Sequence, residues 1–191
     1  MSRLTVNQLQ ALNPTTNLIS VAAGDTVYSP GSVVQVVNTT IYTPTAVAVP
    51  NNVAASTDIP EFTCVITPKS AASKIYVSVR WFGELLPQSA NWNTTWGLKR
   101  NGSVIGRNPN AGGRDGISMA SLSYYADDGN STPEMMSFDY WDAPASTSTL
   151  TYQVYAAASA TPTIYTNRTV ANNGAGYEFG SSTITLWEIA Q

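Results

Sequence analysis

The chain has no histidine and a single cysteine, Cys64, so acid–base chemistry falls to its carboxylates. Ser-His-Asp and Cys-His catalysis, imidazole proton shuttles and His-containing zinc sites are all excluded. A glycosidase would need two carboxyl groups facing each other across a sugar. The nearest sequence candidates are Glu134, Asp139 and Asp142, grouped along one strand and its end. Asp142-Ala143-Pro144 reads more simply as a turn, with the Asp capping backbone donors and the Pro fixing φ. No catalytic residue, cofactor or metal ligand is therefore assigned. Asp127-Asp128-Gly129-Asn130 offers oxygen atoms to calcium. It lacks the spaced acids and terminal Glu of a helix-loop-helix calcium loop, and reads as a hairpin turn. In the terminal run Thr183–Ile189, alternation puts Glu188 on the face of Ile184 and Leu186, where a buried carboxylate requires Arg or backbone donors.

Binding is better served by Asn91-Trp92-Asn93-Thr94-Thr95-Trp96. Indole faces stack on sugar C–H surfaces and Asn amides bond hydroxyls in pairs, while Trp and Tyr are equally suited to burial between subunits. Trp92, Asn93 and Trp96 are thus candidate contacts for a glycan or for a second subunit, with burial in the domain's own core the plainer alternative for the tryptophans. Tyr124-Tyr125 and Tyr140-Trp141 are adjacent pairs whose members must face opposite sides of a strand, one of each toward the core. Cys64, within Phe62-Thr63-Cys64-Val65-Ile66, reads as a packed thiol. The five Asn-x-Ser/Thr sequons, at Asn38, Asn93, Asn101, Asn130 and Asn167, follow from composition.

The elements that would position these residues are β-strands. Charged residues make up only 11% of the 191 positions, against about a quarter in an average domain. Thr (23), Ser (20) and Asn (15) supply the polarity, and these are residues of strands and turns rather than helices. A net charge of −3 provides no basic field for a phosphate backbone, so nucleic acid is excluded as a partner. No stretch approaches eighteen apolar residues and the N-terminus lacks a signal-peptide core, which points to synthesis in the cytoplasm and no membrane partner.

Residues 1–60 carry only Arg3, Asp25 and Asp58 as charges and are interrupted by Pro14, Pro30, Pro44, Pro50 and Pro60. They read as an extended arm made of short β-like pieces, docked on neighbouring subunits in preference to its own domain. Residues 61–191 read as a sandwich domain with about eight strands. In Lys74–Trp81, Ile75, Val77, Val79 and Trp81 share a buried face and Lys74, Tyr76, Ser78 and Arg80 a wetter one. Thr94–Arg100 and Ser103–Arg107 flank Asn101-Gly102, the pair suited to a two-residue type I′ turn. Strands are also expected over Phe62–Thr67, Ile117–Tyr125, Met135–Trp141, Leu150–Ala157, Thr163–Arg168 and Ser181–Ile189. The fold class is all-β: an antiparallel sandwich of jelly-roll type with an extended N-terminal arm.

Several pieces taken in order carry a family likeness: Met1–Gln10, Ser29–Val37, Ile66–Val77, Asp142-Ala143-Pro144, Thr151–Val154, Tyr165–Arg168 and Ser181–Ile189. Together they resemble a family of small virion surface proteins of tailed phages of the cyanophage and marine-phage type, known as capsid decoration, head-fibre or tail-fibre proteins. The likeness spans nearly the whole chain and rests on the conjunction of motifs. It implies a non-enzymatic β-sandwich head on the virion surface, assembled as a homotrimer, with an arm anchoring it to the particle; it does not settle head against tail, and attachment to the major capsid protein is the leading expectation. Leu4, Val6, Leu9, Val33, Val34 and Val36 are the arm residues expected to make that attachment. The alternative it leaves is a short tail-fibre or receptor-binding tip bound to tail proteins and touching host-surface glycan. The stretch Trp81–Trp96 departs from the family in being richer in indole.

Overall fold

Alternating apolar residues build two antiparallel sheets packed face to face. The computed structural model describes residues 29–111, 116, 118–122, 130–172 and 176–191. Its strands are β1 (Val33–Ile41), β2 (Thr45–Ala48), β3 (Asn52–Ile66), β4 (Lys74–Leu86), β5 (Thr94–Arg100), β6 (Ser103–Ile105), β7 (Glu134–Asp142), β8 (Leu150–Ala158), β9 (Thr163–Thr166) and β10 (Ser182–Ile189). The helical segments among the described residues are two short 3-10 turns, Gln88–Asn93 and Gly176–Glu178.

In the first sheet β4 is flanked on one side by β7, while on the other β10 covers its first half and β9 its end. β1 lies outside β10 and β2 outside β9. β1/β2 and β9/β10 are therefore each one strand line broken by a loop, and the sheet has four lines. The second sheet has the order β3-β8-β5-β6. Numbered along the chain, the eight lines run 1-8-3-6 in one sheet and 2-7-4-5 in the other, the double Greek-key order of a jelly roll.

The core lies between the sheets and is filled by the inward member of each alternation. Ile75, Val77, Val79 and Trp81 of β4 are buried, facing Tyr152, Val154 and Ala156 of β8 and Trp96 and Leu98 of β5. Trp81 and Trp96 meet across the sandwich with ring centroids 5.4 Å apart, and Trp81 Nε1 donates to Thr166 Oγ1 at 3.0 Å. Gly83 permits this arrangement: a Cβ there would lie 2.0 Å from the Tyr165 carbonyl oxygen and 2.5 Å from the Trp81 ring. Cys64 is a packed thiol, its Sγ 3.8 Å from the Val37 carbonyl oxygen, and burial pushes its pKa up. The β5–β6 hairpin turns at Asn101 and Gly102, both at positive φ (50° and 79°), with Arg100 paired to Ser103 as a type I′ turn requires.

The division at residue 60 does not match the strands. β3 spans it, with a bulge between Asp58 and Thr63, and β1 and β2 pair along their lengths with β10 and β9. Residues 33–60 thus belong to the sandwich as its edge strands, each paired on one side within its own domain, leaving less of the chain to act as an arm. Pro44 and Pro50 stand at the corners between β1, β2 and β3, while Pro60 falls in the β3 bulge. Of the expected strand 117–125, the described part, Ser118–Leu122, makes a single bridge between Ala120 and Trp96. The remainder lies outside the described residues.

Candidate functional site

Register joins four outward-facing residues from four separate strand lines into one row. Val36 of β1 is paired with Trp187 of β10, Trp187 with Tyr76 of β4, and Tyr76 with Trp141 of β7. The row crosses the whole outer face of the first sheet, a span of about 14 Å at the usual strand spacing. Tyr76 packs on Trp141 with centroids 4.8 Å apart and on Trp187 at 5.3 Å. Trp141 and Val36 are each 52% exposed, and Val33, paired with Ile189 beside the row, is 54% exposed. The rings are tilted by 44° and 46° to their neighbours. A ridge of interlocked rings results, with less flat surface for a sugar than coplanar rings would offer, and better suited to packing against protein.

The next rows are polar. Asn38, Thr185, Ser78 and Asp139 follow the aromatic row, then Thr40, Thr183, Arg80 and Ser137. Asn38 Nδ2 donates to Thr185 Oγ1 at 2.7 Å. With Lys74 on the other side, this face carries charges of both signs around an apolar stripe, the composition of a specific protein contact.

The carboxylates take structural roles. Along β7 the even positions face the core and the odd positions face out. Asp142 is buried while Asp139 is exposed on the opposite face, so the two do not face each other. Glu134 and Asp142 stand at opposite ends of the strand, about 27 Å apart at strand rise. Asp142 accepts hydrogen bonds from Arg100 Nη1 at 2.8 and 2.7 Å and from the Tyr152 hydroxyl at 2.7 Å. Burial and the Asp142 carboxylate push the Tyr152 hydroxyl far above its ordinary pKa. Burial likewise raises Tyr155, to about 12. Glu188 receives the backbone donors its position demands: Lys69 N at 2.8 Å and Ser70 N at 3.2 Å, with Gln35 Nε2 at 2.6 Å. Burial alone would raise its pKa, but these donors outweigh burial and hold it below the usual value.

Two buried carboxylates have no clear signal in the sequence. Glu84 accepts from Val170 N at 2.6 Å, and Glu178 accepts from the Ser131 hydroxyl. Both fasten the excursion between β9 and β10 onto the end of the first sheet. Glu84 sits on the outward side of β4, where alternation alone would expose it; the covering segment comes from far along the chain.

The other expected contacts disperse. Leu4, Val6 and Leu9 lie outside the described residues, as do Tyr124, Tyr125, Asp127 and Asp128. Val34 is half-buried at the β1 bulge, between Val33 and Gln35. Trp96 is fully buried against Trp81 and cannot touch a glycan or a subunit, a correction that follows from the even phase of β5, which turns Trp96 and Leu98 inward. Trp92 falls in the 3-10 turn Gln88–Asn93. Asn93 is exposed at the rim of a cleft on the outer face of the second sheet. Tyr140 packs on the core and Trp141 faces solvent, as their adjacency requires.

Among the described residues no group of three or more His, Cys, Asp or Glu side chains is arranged to hold a metal ion. No protein-family model matches the chain, and no curated protein is similar to it.

Proposed function

We propose that this protein is a non-enzymatic structural protein of a tailed-phage virion, a capsid decoration or head-fibre subunit that assembles as a homotrimer. The observation that carries the reading is the outward-facing Val36–Trp187–Tyr76–Trp141 row, exposed at its two ends, Val36 and Trp141, and half-buried at Tyr76 and Trp187. A contiguous aromatic stripe on a folded domain is costly to leave in water and marks a protein contact. The jelly roll supplies a rigid platform for it, and the resemblance of the ordered motifs to virion surface proteins supports the setting. In this reading the stripe is buried between subunits around the three-fold axis. The chain ahead of Val33, which enters the fold beside the stripe, reaches the major capsid protein.

Quantitative mass spectrometry of purified phage particles tests this assignment, because lattice and tail symmetries demand very different copy numbers. A fixed, sizeable ratio to the major capsid protein is expected. A handful of copies per particle would replace decoration with a tail-fibre tip, and absence from particles would overturn the virion assignment.

A further inference from the structure

The outer face of the second sheet, away from the aromatic stripe, holds a cleft of about 400 Å³. Its size is that of a small-molecule site. Ala157 forms part of its floor, and the polar wall comes from Asn93, Thr95, Ser118, Ser121 and Ser159. No charged side chain lines it among the described residues. Among these described residues an anion or cation would find no counter-charge, whereas a neutral, hydroxyl-rich ligand would meet both donors and acceptors.

The hydrogen bonds already made define what the wall still offers. Ser159 Oγ donates to Asn93 Oδ1 at 3.1 Å, so the Asn93 amide presents its NH2 group to a ligand. Thr95 Oγ1 donates to the Ala120 carbonyl at 2.9 Å and keeps its lone pairs for accepting. The rim is braced from beneath: Ser159 N donates to the Asn93 carbonyl at 2.9 Å, and Thr94 Oγ1 to the Ala90 carbonyl at 2.9 Å. Asn93 is thus held at the junction of a 3-10 turn and β5, a pre-organised position that lowers the ordering cost of binding. We infer that this cleft is a binding site for a neutral sugar residue, gripped by Asn93 and the surrounding hydroxyls over an apolar floor. The inference is independent of the subunit contact, which uses the opposite sheet.

Saturation-transfer NMR on the full chain tests it, with the methyl glycosides of glucose, galactose and N-acetylglucosamine as probes and a sialic acid glycoside as the charged comparator. At least one neutral glycoside is expected to bind saturably in the millimolar range. Asn93→Ala should weaken binding tenfold or more, and Ser121→Trp, at an exposed rim position, should abolish it while leaving the thermal midpoint unchanged. Trp141→Ala, on the stripe, should leave binding intact. The inference is overturned if no neutral glycoside binds, if only the charged comparator does, or if binding survives both cleft variants. Loss of binding on Trp141→Ala would move the site to the stripe and overturn it equally. Binding with an intact subunit assembly, or without one, separates this result from the virion reading.

Discussion

Replacing Asp142 with Asn separates a structural carboxylate from a chemical one. The wild-type side chain is 8% exposed and accepts from Arg100 and Tyr152 at 2.7–2.8 Å. The replacement keeps the shape, removes the charge, and turns an NH2 group toward one of two donors. Charge-assisted hydrogen bonds contribute about 1.5–3 kcal/mol, and breaking a fully buried pair costs about 3–5 kcal/mol. The Arg100 side chain is 29% exposed, so water takes over part of what Asp142 supplied. The net loss should be about 2–3 kcal/mol. For a chain of this size that lowers the thermal midpoint by about 5–10 °C. Urea unfolding followed by circular dichroism reads the first quantity and a thermal scan the second. In a double-mutant cycle, Arg100→Met should cost about 1–2 kcal/mol less in the Asp142→Asn background than in the wild type. Unfolding curves for Asp142→Asn that coincide with the wild type to within about 0.5 kcal/mol would refute the structural role.

Three further outcomes follow from the same geometry. Glu188→Gln should cost about 1–2 kcal/mol at neutral pH. Because the folded pKa of Glu188 is depressed, its stabilisation is present above the unfolded value near about 4.3 and is lost as pH falls through the folded one. The gap between variant and wild type must therefore shrink in urea titrations below about pH 4, and a constant gap would contradict the assignment. Trp96→Ala should destabilise by about 3–5 kcal/mol through lost core packing, while Trp141→Ala changes monomer stability by less than about 1 kcal/mol; equal losses in denaturant unfolding would contradict the two placements. Gly83→Ala drives a Cβ into the Tyr165 carbonyl and the Trp81 ring. It should cost about 3 kcal/mol or more, with a thermal midpoint near the wild type as the contrary result.

Much of the fold is legible in alternation. The β4 run Ile75, Val77, Val79, Trp81 and the turn pair Asn101-Gly102 dictate their conformations locally, and both appear as read. The terminal strand also assigns Glu188 to the buried face correctly, and the donors it needs are met by the turn at Lys69 and Ser70. Register is what a single strand cannot disclose. Alternation places Tyr76, Trp141 and Trp187 outward one at a time, but only the pairing of β4 with β7 and β10 assembles them into a stripe. The arm misleads for a related reason: prolines and missing charge look the same in an extended tether as in a strand line broken at corners. Trp96 misleads through its neighbours, since a sugar-binding cluster and a core tryptophan differ by the phase of one strand. Glu84 and Glu178 are invisible because their burial comes from segments distant in sequence.

The central claim is that the Val36–Trp187–Tyr76–Trp141 row is covered by another subunit. Sedimentation equilibrium of the full chain, compared with the Trp141→Ser/Trp187→Ser double variant, tests it most directly. A trimer that dissociates to folded monomers in the double variant is the predicted result. A wild-type chain that sediments as a monomer at all accessible concentrations, or an assembly that the two substitutions leave intact, would contradict it.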